Sequence, residues 1–353
     1  MAGTEDIVVL PSTEAVRKRP SMYVGDLNDG TGLQRLIWEV LLNVLDQHLQ
    51  GQAHKVRIEL FSDGTIEIQD DGPGISLETK RYGIKPLLDA MLVDLCSGPM
   101  SGLVSTSALC AFFEIETTCR GERARVRTER GLLTEPAHSL GASTQRGTLV
   151  RFRPDETIFA FGPTPAFLAP SIEAFAWMYP ALAITWQRKE IAAQGGFAAW
   201  TRNRGLDGLD DDFVFAVRTP LGEHFVDIAF GWERADPRPR ADSDNAGLLS
   251  FVNFQRTQDG THIPGVAEGL AAVALAYGQR ASSDAFASRL VGAVHVVEND
   301  PWFSKPVRNL RVTPLARKLV GEVVQAQLPA AFECHPLAKA RFIVRATKAA
   351  SAL

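Results

Sequence analysis

The chain has 353 residues, with 37 Lys and Arg against 41 Asp and Glu and a formal charge of −4, so nothing in its overall charge draws it to nucleic acid or to acidic membranes. Hydrophobic residues make up 45%, alongside 29 Gly and 20 Pro, a composition that excludes fibrous and disordered classes in a chain long enough for two domains. No apolar run of about 20 residues and no basic segment leading into an apolar one occurs, so membrane insertion and secretion are not indicated and a cytoplasmic location is expected.

In chain order, the first clear element is TGLQRLIWEVLLNVLDQHLQG (31–51), where Leu33, Leu36, Ile37, Val40, Leu41, Val44 and Leu45 recur at helical spacing. Glu39, Asn43 and Asp46 fall on the other side of that helix. HKVRIELFS (54–62) and TIEIQD (65–70) alternate around Asp63-Gly64, which predicts a β-hairpin whose second strand runs into Asp70-Asp71-Gly72-Pro73-Gly74. IKPLLDAMLVDLC (84–96) predicts a helix, and SGPMSG (97–102) follows. FEIETTC (113–119), RARVRTERG (123–131) and TLVRFRP (148–154) predict strands. The polar, glycine-containing stretch 195–212 places a domain boundary, 1–206 against 207–353.

The second half opens with two alternating strands, FVFAVRT (213–219) and HFVDIAFGW (224–232), then a polar loop at 233–243. Strand GLLSFVNFQ (247–255), helix GVAEGLAAVALAYG (265–278) and strand LVGAVHVVEN (290–299) describe an α/β domain with one crossover. LARKLVGEVVQAQL (315–328) is helical. From Ser304 onward nine Lys or Arg stand against Glu322 and Glu333. That stretch reads either as a solvated helix face or as a nucleic-acid contact.

Several chemistries are absent. There is no GxxxxGK[ST], GxSxG, HExxH or strand-linked GxGxxG, and the histidines do not cluster. Cys96, Cys110, Cys119 and Cys334 form no CxxC, so free thiols are expected. Two stretches keep a chemical reading. An acid one turn before an amide, Glu39 and Asn43, could take a proton from water and hold Mg²⁺ through the amide oxygen, although any amphipathic helix supplies such pairs on its wet face. Asp70 at a strand end before DGPG could accept a hydrogen bond from an exocyclic amine, although a plain β-turn wants the same residues.

Taken in order, EAVRKRPSMYVGD (14–26), DGTGL (29–33), EVLLNVLDQHLQG (39–51), IQDDGPGI (68–75), RGTLVRFRP (146–154) and SFVNFQRTQDGTHIPG (250–265) resemble the ATPase half of bacterial type II topoisomerase B subunits. These are the B subunits of gyrase and topoisomerase IV, in the GHKL superfamily. The resemblance covers nearly the whole chain and implies an α+β protein: an N-terminal GHKL (Bergerat) α/β sandwich followed by a transducer domain with the ribosomal S5 domain 2-like fold. It implies Glu39 as general base for water attack on the γ-phosphate, Asn43 as the Mg²⁺ ligand, and Asp70 as the partner of the adenine amine with Thr148 in the same network. It also places Asp46 beside the nucleotide, Gly74 in the turn near the base and Gly102 in the phosphate lid. The cofactors implied are ATP or ADP with Mg²⁺.

The departures from that family are specific. SGPMSG replaces a long glycine-rich lid and keeps only Gly102, while Pro73 and Gln47 stand where the family has an arginine and its paired acid. FSKPVRNL (303–310) offers Arg308 where a lysine loop reaches the γ-phosphate, and a guanidinium fork is not a point charge. No tyrosine precedes Tyr23 in the N-terminal arm. The expectation is therefore nucleotide binding with weak hydrolysis and no DNA cleavage by the chain alone, or a degenerate paralogue acting as regulator, scaffold, inhibitor-resistance or biosynthetic accessory. The partners considered are a second copy of the chain, a separate topoisomerase subunit and another pathway protein.

Overall fold

The computed structural model describes residues 10–81, 85–95, 101–204, 209, 213–233, 247–253, 255–257, 259–283, 286, 290–297, 310–311 and 314–350. The chain divides into two compact units, Met1–Ala176 with Ala181–Ala192, and Trp177–Pro180 with Ala193–Leu353.

In the first unit the order is α1 (Ser12–Lys18), α2 (Ser21–Val24), α3 (Thr31–Leu49), β1 (Lys55–Leu60), β2 (Ile66–Asp70), β3 (Lys80–Arg81), β4 (Lys85–Pro86), α4 (Leu87–Val93) and α5 (Ser101–Leu109). Then follow β5 (Cys110–Cys119), β6 (Glu122–Glu129), β7 (Leu132–Ala142), β8 (Gly147–Pro154), α6 (Pro165–Met178), β9 (Ala183–Trp186) and β10 (Lys189–Glu190). The main sheet runs β10-β9-β1-β2-β8-β5-β6-β7, antiparallel except where β1 meets β9.

The hairpin expected around Asp63-Gly64 is β1–β2, with Leu60 opposite Ile66. Helix α3 buries Leu33, Leu36, Ile37, Val40, Leu41, Val44 and Leu45, the stripe its period predicts. Each such side chain removed from water stabilises by about 1.5–3 kcal/mol. Before it, Gly30 takes φ +86° where a Cβ would strike the Phe167 ring, so glycine is required at that entry. Helix 84–96 is shorter than expected: Lys85 and Pro86 pair with β3, and Pro86 precedes the first turn of α4. The sequence pattern carried no expectation for β7, α6 or β9.

On one face of the sheet Ile58, Ile66, Ile68, Phe113, Ile115 and Phe152 are buried, with Phe113 and Phe152 stacked at 5.6 Å. The alternate positions carry charge. Register places Glu59, Glu67, Arg151, Glu114 and Arg127 side by side across five strands. The glutamates are buried beneath arginines, as in Arg151–Glu67 at 2.8 Å and Arg127–Glu114 at 3.4 Å. With half-exposed arginines, each pair contributes at most about 1 kcal/mol.

The second unit contains α7 (Gly196–Arg204), β11 (Phe215–Leu221), β12 (His224–Trp232), β13 (Leu248–Val252), β14 (Gln255–Thr257), β15 (Asp259–Gly260), α8 (His262–Ala276), β16 (Leu290–Val297), β17 (Leu310–Arg311), α9 (Pro314–Glu333) and α10 (Pro336–Ala350). Its sheet runs β11-β12-β16-β13-β14, and β13 lies parallel to β16 with α8 between them in sequence, the one crossover expected. Helix α7 packs on β12 and β16 and stacks Phe197 on Phe251 at 5.7 Å. It therefore groups with the second unit, ahead of the 206/207 boundary read from composition. Cys110, Cys119 and Cys334 are free thiols, while Cys96 lies outside the described residues.

Candidate functional site

A cavity opens in the first unit between α3, the end of β2 and the strands beside it. Val40, Asn43, Val44 and Gln47 line it from α3, the spacing of one helical face. Asp70, Pro73, Gly74 and Ile75 line it from the end of β2 and the following turn, and Thr148 and Val150 from β8. Ile68, Met91, Leu103 and Ile115 make the remaining wall apolar. A mostly apolar concavity with a few convergent polar groups is the form small-molecule sites take.

The two neighbouring aspartates have different work. Asp71 Oδ1 accepts the backbone N–H groups of His54 and Lys55 at 2.7 and 2.9 Å, which ties the start of β1 to the turn. Asp70 Oδ1 accepts the N–H groups of Gly72 and Thr148 at 2.8 and 3.3 Å. Its Oδ2 receives no donor among the described residues. Burial pushes the Asp70 carboxyl up to about 6, against the pull of those two N–H groups, and the Asp71 charge adds to the rise.

The turn itself is locked from three sides. Gly74 has φ +72°, and a Cβ there would run into the Thr118 carbonyl. Ile75 N–H donates to Thr117 Oγ1 at 2.8 Å, and that hydroxyl lies 3.4 Å from Thr148 Oγ1. Arg146 donates to the Gly72 carbonyl at 2.8 Å and to the Gln52 carbonyl at 2.6 Å. Arg146 and Thr117 were not singled out from the sequence, since an arginine beside a strand and a threonine within one carry no local signal of function.

Asn43 donates one Nδ2 hydrogen to the Glu39 carbonyl at 2.9 Å, which leaves its amide oxygen and second N–H for a ligand. Among the described residues no three His, Cys, Asp or Glu side chains gather to hold a metal. One amide oxygen fits Mg²⁺ that arrives on phosphates and keeps its waters, and does not fit an all-protein cage. Glu39 forms an ion pair with Arg35 one turn earlier on α3. It does not line the cavity, but Gly102 lies so close that any side chain at 102 would collide with the Glu39 carboxylate.

The sequence-derived set is thus brought together in part. Asn43, Asp70, Gly74 and Thr148 share one cavity, and Glu39 and Gly102 abut each other. Asp46 is exposed and outside the cavity lining. At 3.6 residues per turn it is rotated roughly 100° from the centre of the Val40–Asn43–Val44–Gln47 face. Arg308 and residues 97–100 of the lid segment lie outside the described residues.

No family model matches the chain. The B subunit of DNA gyrase from Thermotoga maritima is 27% identical over 373 residues, covering 95% of this chain and 57% of that protein. Its counterpart from Caulobacter vibrioides is 26% identical over 399 residues, covering 99% of this chain and 48% of that protein. The chain therefore spans about half the length of the curated relatives it matches. The 43K ATPase domain of Thermus thermophilus gyrase B, solved with an aminocoumarin, superimposes with a TM-score of 0.80 at 25% identity, covering 97% of this chain and 96% of that one. The ATP-binding domain of Francisella tularensis topoisomerase IV has the same fold, with a TM-score of 0.75 at 22% identity, covering 97% and 98%.

Proposed function

From a chain that resembles the ATPase and transducer region of gyrase and topoisomerase IV B subunits in both sequence and α+β fold, we propose that the first unit binds ATP or ADP in the α3–β2 cavity. The first unit is then a Bergerat-type sandwich and the second an S5 domain 2-like transducer. The observation that carries this reading is Asp70: a buried carboxylate at a cavity wall, with both backbone donors on Oδ1 and Oδ2 left for a ligand N–H. An adenine amine supplies that donor, and the apolar wall of Ile68, Ile115 and Val150 suits a flat base.

Asn43, which lines the cavity from α3, would hold the nucleotide's Mg²⁺, which when bound neutralises phosphate charge. Glu39, one turn before Asn43, is the group to take a proton from attacking water. Its carboxylate is already engaged by Arg35 and crowded by Gly102. A base that must be shared with a guanidinium, beside a shortened lid, supports weak hydrolysis at best. That same pairing favours the second reading, a nucleotide-binding paralogue whose output is a partner contact and not phosphoryl transfer.

Calorimetric titration with ADP and with a non-hydrolysable ATP analogue, with and without Mg²⁺, tests binding, and a turnover assay then separates the two readings. Saturable binding of both nucleotides is expected. Where turnover is measurable, Glu39→Gln should abolish it while leaving affinity within about threefold, since a base acts mainly in the transition state. Failure of either nucleotide to bind would overturn the proposal.

A further inference from the structure

The cavity holds a second acceptor, distinct from the Asp70 carboxylate. Gln47 lines the cavity, and its Oε1 is buried with no hydrogen-bond partner among the described residues. A buried acceptor left without a donor is costly, so one carried by a side chain of the cavity wall marks where a donor is meant to arrive once the side chain turns to meet a ligand.

Its position says which part of a nucleotide could bring that donor. Asn43, the phosphate-side residue in the proposed reading, lies about one turn before Gln47, about 6 Å along the helix. The Gln47 carbonyl accepts Gln52 N–H at 2.8 Å, and the Gln52 carbonyl accepts from Arg146, which also holds Gly72. The C-terminal end of α3 is therefore tied to the turn that carries Asp70 and Pro73, the base-binding end. Phosphates offer only acceptors. The donors at that end of a nucleotide are the second N–H of the exocyclic amine and the ribose hydroxyls.

We propose that Gln47 is a specificity residue whose Oε1 accepts a hydrogen bond from the nucleoside portion of the bound nucleotide. It acts beside Asp70, and with Pro73 in the same wall it makes this part of the pocket neutral. The proposal rests on the adenine-nucleotide reading. It adds that recognition is divided between two acceptors, a carboxylate and an amide oxygen.

Calorimetry of wild type and Gln47→Met with three probes, ADP, N6-methyl-ADP and 2′,3′-dideoxy-ADP, tests it. Methionine keeps the length and helix propensity of glutamine and removes the acceptor. Gln47→Met is expected to weaken ADP about tenfold while melting no lower than wild type without nucleotide. The penalty should vanish with the analogue that lacks the donor in question: N6-methyl-ADP if the amine supplies it, 2′,3′-dideoxy-ADP if the ribose does. Gln47→Glu, which keeps an acceptor oxygen, should bind ADP more tightly than Gln47→Met. Equal ADP affinity in wild type and Gln47→Met would overturn the inference, as would a penalty that persists unchanged with both analogues. If wild type binds no nucleotide, the adenine reading itself falls. If wild type binds ADP and Asp70→Asn weakens it while Gln47→Met does not, only the present inference falls.

Discussion

At the level of single residues, Asp70 trades stability for binding. Its carboxyl is raised from 3.8 to about 6 by burial, so folding takes up a proton between those values. The stability present below the unfolded value is lost as the pH rises through about 6, and above it the buried charge costs on the order of 2–3 kcal/mol. Asp70→Asn keeps an Oδ1 acceptor for Gly72 and Thr148 but cannot ionise. It should melt higher than wild type near about pH 7.5, where the charge is present, and no higher near about pH 4. Two other buried groups add slope in the same window: Asp227, which burial also raises to about 6, and His295, which burial lowers to about 4. Nucleotide affinity should fall about tenfold or more for ADP and the ATP analogue alike, because the lost partner serves the base. A variant that melts lower than wild type near about pH 7.5 would mean that the ionised form holds the turn together.

Among helices and strands, two close approaches decide what the sequence tolerates. The turn after β2 allows no Cβ at Gly74, and the start of β8 allows none at Gly147, where one would strike the Asp70 carbonyl. In the second unit, α8 and α9 pack so closely that a Cβ on Gly265 would meet the Arg317 backbone, while one on Gly269 would meet Val324. Overpacking of this kind typically costs about 1–3 kcal/mol. Gly265→Val should therefore lower the thermal midpoint of the protein and leave ADP affinity in the first unit within about twofold, since the lost packing lies outside the nucleotide cavity. Calorimetric melts paired with titration check both halves of that statement. A variant that melts as wild type does would show that the two helices separate freely.

For the molecule as a whole, the question is whether nucleotide identity reaches the oligomeric state. Read from the sequence, the departures at SGPMSG, at Arg308 and in the arm before Tyr23 would each weaken a contact by which the resembled family is expected to distinguish ATP from ADP. A ligand shifts an equilibrium only by its differential affinity for the two states. We propose that any homodimer is constitutive, with a dissociation constant that changes less than about tenfold, or 1.4 kcal/mol, between ADP and a non-hydrolysable ATP analogue. Analytical ultracentrifugation under the two ligands measures this directly. A dimer formed only with the ATP analogue would mean that the shortened lid still works as a clamp.

Local pattern was enough to specify the elements whose burial follows a period. Leu33 to Leu45 mark the buried stripe of α3, the Asp63-Gly64 turn marks the β1–β2 hairpin, and β13, α8 and β16 mark the crossover. It also pointed to Asn43 and Asp70, which line one cavity, because helix spacing and a strand-end DGPG turn are local signals that need no distant partner. Long-range packing settled which neighbours of those residues share the cavity. It turned Asp46 outward and Gln47 inward, gave Asp71 to the start of β1, brought Arg146 from 74 residues away onto Gly72, and joined α7 to the second unit. Each of these depends on which distant segment packs against which face, information that no local window contains and that only the folded chain supplies.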